Sequence, residues 1–450
     1  MQPYPKALAL AGRDAAAQRR FAAVDVTSAP RPSLEGEHIM SEKTRSGELD
    51  PSFGSNGIVE IVNPRSTHRI TKRLPDNRLW TVVSERGLMG VRMYRHLADG
   101  GPDPVFRPDG VVVPLSGVTG HAFELTNFEE TTTGRLIIAG SVRVQANETP
   151  TLMAVMSVDE DAELDPDFGT GGATVIELPD AISTFTHDMH LSDDRAVMLG
   201  RLLDTNDRGF TLMVRLTPAG QRDPSFGLNG VSRDFPTYAN FRTLHILPDR
   251  KLALAGESTR SGVTGLVARY TSAGVPDTTY GTEGFTDIDF SSEFPGAAWS
   301  VVSSAVSPDG SHVVQGNSNE GGGQGVWLSR LTPNGQFDNT FNGGKPVVTY
   351  LDGHGYTGLH LAVQADGKIV SAGQTQSFSE LVLLRLNADG QHDASFGNGG
   401  VVIVTSIPPG SREVMASLDI QPDGKLLVCS VSRSEFDPEP FGIVLRRLLA

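Results

Sequence analysis

The chain has 450 residues, with 53 Asp and Glu against 38 Lys and Arg and a formal net charge of −15. That balance, without any run of Lys or Arg, argues against a grip on nucleic-acid phosphates or anionic lipid, which needs a basic face. No stretch approaches the roughly 20 apolar residues that span a bilayer, and one cysteine, Cys429, rules out an intramolecular disulfide.

Residues 1–44 stand apart from the rest. An Ala-rich segment, Ala7 to Ala23, is broken by Arg13, Asp14, Gln18, Arg19 and Arg20, and a stretch with Ser28, Pro30, Pro32 and Ser33 follows. The breaks come too early for the apolar centre of a secretory signal, so the segment reads as a disordered leader and the protein as cytoplasmic. Met40 opens a polar lead straight into the first repeat, which makes Met40 rather than Met1 the expected start of translation.

From residue 45 to 450 one phrase returns seven times: DPSFG at 50–54, DPVF at 103–106, DPDFG at 165–169, DPSFG at 223–227, DTTYG at 277–281, DNTF at 338–341 and DASFG at 393–397. The spacing of roughly 57 residues marks a repeat architecture. Within each unit the order is constant. In the last one a strand-like run at 400–406 is followed by strands at 416–420 and 425–431 around the turn QPDG, and by a strand at 442–448. Short Val/Ile/Leu-rich runs bounded by Pro, Asp and Gly are strands, and strand–PDG–strand is a tight hairpin. Cys429 lies in such a run and reads as a small buried hydrophobe.

Four strands per unit and seven units predict an all-β, seven-bladed β-propeller of four-stranded antiparallel blades. The phase leaves two registers open. Either the N-terminal strand joins the last three strands in one blade, or every blade is contiguous.

The repeated phrase has a physical reading. The anchors Asp50, Asp103, Asp165, Asp223, Asp277, Asp338 and Asp393 cap turns that the following Pro, where present, presets. The aromatics Phe53, Phe106, Phe168, Phe226, Tyr280, Phe341 and Phe396 are expected to plug the joints between blades, each ring contributing about 1.5–3 kcal/mol on burial. Arg95, Arg215, Arg269, Arg330 and Arg385 stand eight residues before an Asp and are expected to fork onto it through both carboxylate oxygens. Ser157 takes that place before Asp165, where the clasp should be missing.

The combination QPDGK, apolar strand, ARLNADG and DPSFG resembles the delta-60 repeat family of bacterial β-propellers, most closely at 364–400, with further copies at 211–231 and 325–344. The resemblance spans about residues 45–450. It implies the architecture but no reaction, cofactor or substrate.

Function is expected where the blades differ, on loops carried by a rigid ring. Near the start of the strand entering each hairpin stand His121, His187 with Asp188, Arg242, Trp299, Tyr356 with His360, and Arg412. Of these, His187, Arg242, Trp299, His360 and Arg412 are the candidate ligand-binding residues, able to stack on a sugar or hold an anion if they converge.

No G-x-S-x-G elbow, P-loop, H-E-x-x-H or Cys pair occurs. His187 and His190 are three apart and would reach one metal ion only from a loop. The acidic run from Asp159 to Asp167 reads as solvated loop charge rather than a calcium site.

The expectation is a non-enzymatic, monomeric scaffold, without cofactor or metal, that presents blade loops to a protein or glycan partner. The alternative is a propeller hydrolase or lyase acting on a carbohydrate or small anion, with His187, Arg242 and His360 as acid/base and anion-holding groups.

Overall fold

The computed structural model describes residues 45–63, 65–115, 120, 122–144, 151–260, 263–292, 299–318, 324–351, 355–408, 410–433 and 440–450. The leader at 1–44, the start at Met40 and the candidate His121 lie outside the described residues.

Seven antiparallel sheets of four strands each make the ring. Blade 1 holds β2 (Ser66–Arg73), β3 (Leu79–Glu85), β4 (Gly90–His96) and β5 (Val111–Pro114). Blade 2 holds β6 (Ala122–Glu130), β7 (Leu136–Arg143), β8 (Thr151–Val158) and β9 (Ala173–Ile176). Blade 3 runs through β10 (Ala181–Ser192), β11 (Arg195–Asp204), β12 (Gly209–Arg215) and β13 (Val231–Ser232). Blade 4 has β14 (Ala239–Ile246), β15 (Leu252–Ser258), β16 (Thr264–Tyr270) and β17 (Phe285–Ile288). Blade 5 has β18 (Ser303–Val306), β19 (His312–Ser318), β20 (Gly325–Leu331) and β21 (Val347–Tyr350). Blade 6 has β22 (Tyr356–Val363), β23 (Ile369–Thr375), β24 (Glu380–Leu386) and β25 (Val401–Thr405).

Blade 7 settles the register. Its order is β1 (Ile58–Ile61), β28 (Pro440–Leu448), β27 (Leu426–Arg433) and β26 (Arg412–Ile420), so the N-terminal strand supplies the outermost strand of the last blade. Ile58 lies opposite Arg446 and Ile61 opposite Ile443. The chain ends also exchange backbone bonds, Asp50 N donating to Arg447 O and Arg447 N to Gly57 O.

The hydrophobic core is divided among the joints between neighbouring blades. One cluster combines Phe226 and Val197 of blade 3 with Phe241, Leu254 and Tyr270 of blade 4. Another combines Phe53 and Leu445 of blade 7 with Leu79, Val83 and Tyr94 of blade 1, and it contains the fully buried Cys429. The seven phrase aromatics are all 8% exposed or less, which places each in a joint as their spacing predicts.

The clasp differs from the expected fork. Each Arg uses only Nε on its Asp, at 2.7–2.9 Å from Oδ2, in the pairs Arg95–Asp103, Arg215–Asp223, Arg269–Asp277, Arg330–Asp338 and Arg385–Asp393. The other donors reach elsewhere. Nη1 of Arg95, Arg215, Arg269 and Arg330 bonds a backbone carbonyl of the next blade, at Glu160, Ser272, Pro333 and Ala388. The guanidinium also lies over the phrase aromatic, 4.4–5.3 Å from the ring centroid in these five units. One side chain thus joins its own turn, the plugging ring and the neighbouring blade.

A sixth clasp closes the circle. Arg447 Nε donates to Asp50 Oδ2 at 2.8 Å, its guanidinium lies 4.6 Å from the Phe53 centroid, and Nη1 reaches Ala98 O of blade 1. Asp165 lacks its Arg, as Ser157 predicts, yet Arg135 from the preceding hairpin turn reaches it at 3.1 Å. Arg195, Lys251, Lys368 and Lys425 add a second cation in the same way to Asp223, Asp277, Asp393 and Asp50.

The phrase aromatic needs room in the next blade, and a turn glycine with positive φ provides it. A Cβ on Gly274, at φ 79°, would come within 2.7 Å of the Phe226 ring. Blade 2 has Ala162 in that place, at φ 62°, a conformation that L-residues other than Asn and Asp rarely adopt. Ala162→Gly is therefore expected to raise unfolding stability by about 1 kcal/mol, measured by chemical denaturation. A fall in stability would show that the methyl's packing outweighs the strain.

Candidate functional site in the channel

The innermost strands β2, β6, β10, β14, β18, β22 and β26 face the axis. Each runs toward its PDG-type turn, so the first hairpin turn and the Asp clasp share one end of the ring. The connections from second to third strand, and from blade to blade, open at the other end. The clasp face is repetitive, and the loop face carries the variation.

Strand register places Lys72, Glu129, His190, His245, Ala305, Ala362 and Asp419 at one equivalent channel position near the clasp face. Two residues earlier, Asn127, Asp188, Thr243, Ser303, His360 and Ser417 form a second layer, with Ile70 in blade 1. This layer is a belt from blade to blade. Asn127 Nδ2 donates to Met189 O at 2.7 Å, and Leu244 N donates to Asp188 Oδ2 at 2.9 Å. Thr243 and Ser304 share a hydroxyl bond of 2.6 Å, and Thr71 N donates to Ser417 Oγ at 3.3 Å.

His190 is the charged centre of the channel. Its Nδ1 lies 2.6 Å from Glu129 Oε1 and its Nε2 3.6 Å from Asp188 Oδ1, while Lys72 Nζ lies 3.9 Å from the same Glu129 oxygen. Burial alone would lower the imidazole pKa, but the two carboxylates reverse that and push it up to about 10. Both carboxylates are in turn held below their usual range, His190 outweighing their burial. The His245 ring sits 5.7 Å from His190 and 5.8 Å from His312. Burial, then the charge on His190, lowers His245 to about 4, and burial lowers His312 to about 3. Neutral His245 donates Nε2–H to Ser304 O at 3.0 Å, which leaves its Nδ1 as an acceptor.

The five candidate residues, and Tyr356 with them, occupy different settings. His187 and Arg242 are the bulged residues of neighbouring inner strands, β10 and β14. His187 Nδ1 bonds Phe241 O at 3.0 Å, and Arg242 is exposed and pairs with Glu257 at 3.2 Å. Trp299 is only 2% exposed and packs between Phe290 and Trp327 at ring distances of 5.3 Å. Tyr356, also buried, bonds Ser371 at 2.7 Å. Arg412 is exposed and stacks on Phe378 at 4.6 Å. His360 lies half-buried in the belt, lowered to about 4 by burial, with no hydrogen-bond partner among the described residues.

The structure brings His187 and Arg242 together and sends Trp299 and Tyr356 into blade joints. His187 and His190 share a strand, but the bulge at His187 and their separate partners keep them from one ion. The acidic run is divided as well. Asp159 accepts from the backbone N–H groups of Asp161 and Glu163, Glu160 pairs with Arg78, and Asp165 pairs with Arg135. Among the described residues no three His, Cys, Asp or Glu side chains form a metal-holding group. Sequence reasoning missed Lys72, Glu129, His190 and His245 as a unit. Their signal is a shared offset from the hairpin turn, visible once the units are aligned on it.

These shifts fix a pH dependence. His245, His312 and His360 have folded pKa values below the unfolded value near 6.5, so their contribution is complete above pH 6.5 and is lost as pH falls toward 3–4. His190, with its raised value, loses its contribution only as pH rises toward 10. The melting temperature should therefore already fall between pH 6.5 and 5, above the ordinary range of carboxylates, and His245→Asn should flatten that slope. A melting temperature constant across this range would contradict the assignment.

Among the described residues no helix is long and apolar enough to cross a membrane. The sequence matches the family described as a domain of unknown function (DUF5122) β-propeller over residues 247–280, 307–341 and 364–396. No curated protein matches the chain. Among solved structures, the crystal structure of polysaccharide lyase Uly1 is similar at TM-score 0.50 and 9% identity, over 91% of this chain and 93% of that one. Drosophila Semaphorin 2a is similar at TM-score 0.50 and 10% identity, over 90% of this chain and 76% of that one. Identities this low carry the fold alone. With seven four-stranded sheets closed by the chain's own ends and a propeller family matched in three of its repeats, the chain is a β-propeller repeat protein.

Proposed function

We propose that this protein is a non-enzymatic binding propeller that presents the loops of one face to a protein or glycan partner. The observation that carries this reading is the division of labour between the two ends of the ring. The clasp face repeats the same turn in blade after blade, whereas the loop face varies in sequence: the four residues that join second to third strand are RGLM at 86–89, TNDR at 205–208 and QSFS at 376–379. Rigid rings with one variable end concentrate recognition there. In the channel, Glu129 and Asp188 are both spent on His190, Glu129 across the joint between blades 2 and 3.

One observation favours a second reading. His360 carries a neutral imidazole without a partner among the described residues, a state open to proton transfer. A hydrolase or lyase acting on a carbohydrate or small anion would use it, and a polysaccharide lyase shares the fold.

A glycan array and a pulldown with the full chain separate the two. Binding is expected to survive His360→Ala and to be lost when residues 205–208 and 376–379 are exchanged between blades 3 and 6. Turnover of a saccharide that His360→Ala abolishes at unchanged melting temperature would overturn the scaffold reading.

A further inference from the structure

A buried guanidinium without a counter-ion marks the seam between blade 7 and blade 1. Arg69, on inner strand β2, is 7% exposed. Its Nη1 donates to Thr67 O of its own strand at 3.0 Å, and its Nε is buried with no partner among the described residues. No carboxylate lies within salt-bridge distance of Arg69 among the described residues. Burial pulls its pKa down to about 10, and a second cation, Arg433, pulls in the same direction.

Arg433 ends β27. Leu427, Cys429 and Val431 on that strand all pack toward blade 1, and the two-residue period puts Arg433 on the same face. Its Nε is likewise buried without a partner among the described residues. Arg412 stands opposite Arg433 in the ladder but turns its guanidinium onto Phe378 of blade 6.

The nearby carboxylates are committed elsewhere. Glu413 is fully buried and accepts from Nη1 and Nη2 of Arg446, Oγ of Ser430 and N of Ile407. Glu85 accepts from Arg92 and Asn63. A chain with a net charge of −15 thus places two arginines, Arg69 and Arg433, at this seam with no acid paired to either among the described residues. A buried cation of this kind is stable only when something neutralises it.

We propose that the seam between blades 7 and 1 is a binding site for a small oxyanion, a carboxylate or a phosphate, held by the guanidiniums of Arg69 and Arg433. The guanidinium fork matches the geometry of either group. The site lies at the loop-face end of the seam, where β27 ends, and does not rest on the partner proposed above.

The test uses the full chain at pH 7, with sodium phosphate and sodium glucuronate as probes against sodium chloride of equal ionic strength. Melting temperature and calorimetric titration are read together. The wild type is expected to melt higher in at least one oxyanion than in chloride and to bind it at one site. Arg433→Gln should weaken that binding about tenfold or more. Arg69→Met should melt at or above the wild type in chloride, because an uncompensated charge has gone, and lose the oxyanion increment. Arg250→Gln, at an exposed arginine with its own partner Asp193, should leave the increment unchanged. The proposal is overturned if neither oxyanion raises the wild-type melting temperature above chloride, or if the increment is the same in Arg433→Gln as in the wild type. Arg433→Gln decides the matter even if Arg69→Met does not fold.

Discussion

The ring depends on one guanidinium used six times. A propeller must hold flat sheets face to face at a fixed angle, and apolar packing sets distance better than angle because it has no direction. The repeated Arg supplies direction. It bonds the Asp that caps its own turn, covers the aromatic that fills the joint, and in most units reaches a carbonyl of the next blade. At Asp393 burial opposes the carboxylate's charge, but bonds from Ser395 and then the charge of Arg385 outweigh that and lower it to about 2.

That arrangement frees the opposite end. Once the clasps and the inner belt fix the blades, loops on the other face bear little of the stability, and their sequences can diverge. The channel lies between these two regimes. Its Glu129–His190–Asp188 triad ties blade 2 to blade 3, while blades 5 and 6 place only Ala305 and Ala362 at the equivalent position. The Arg69 seam is different again, since its charges have no protein answer among the described residues.

Much of this was legible in the sequence because each blade needs the same parts. Seven Asp-x-x-aromatic phrases at a near-constant interval predict seven blades, and Arg eight residues before Asp predicts five of the six clasps. The sixth, Arg447 with Asp50, is hidden by distance along the chain, though RLLA at 447–450 aligns with RLNA at 385–388. Trp299 looks like a rim aromatic but is buried between Phe290 and Trp327, since composition near a strand start does not say which side of the joint a ring enters. The bulge at His187 and the pairing of His190 with an acid 61 residues away could not be read from local spacing, because both arise from contact between blades.

The account stands on the closing clasp, and a double-mutant cycle on Arg447 and Asp50 tests it most directly. Arg447→Gln, Asp50→Asn and the double variant are unfolded in denaturant at pH 7. Coupling of about 2 kcal/mol or more between the two sites is expected for a buried, shared contact. A coupling within about 0.5 kcal/mol, the level of an exposed ion pair, would mean that the ring is held shut by strand pairing and ring packing alone.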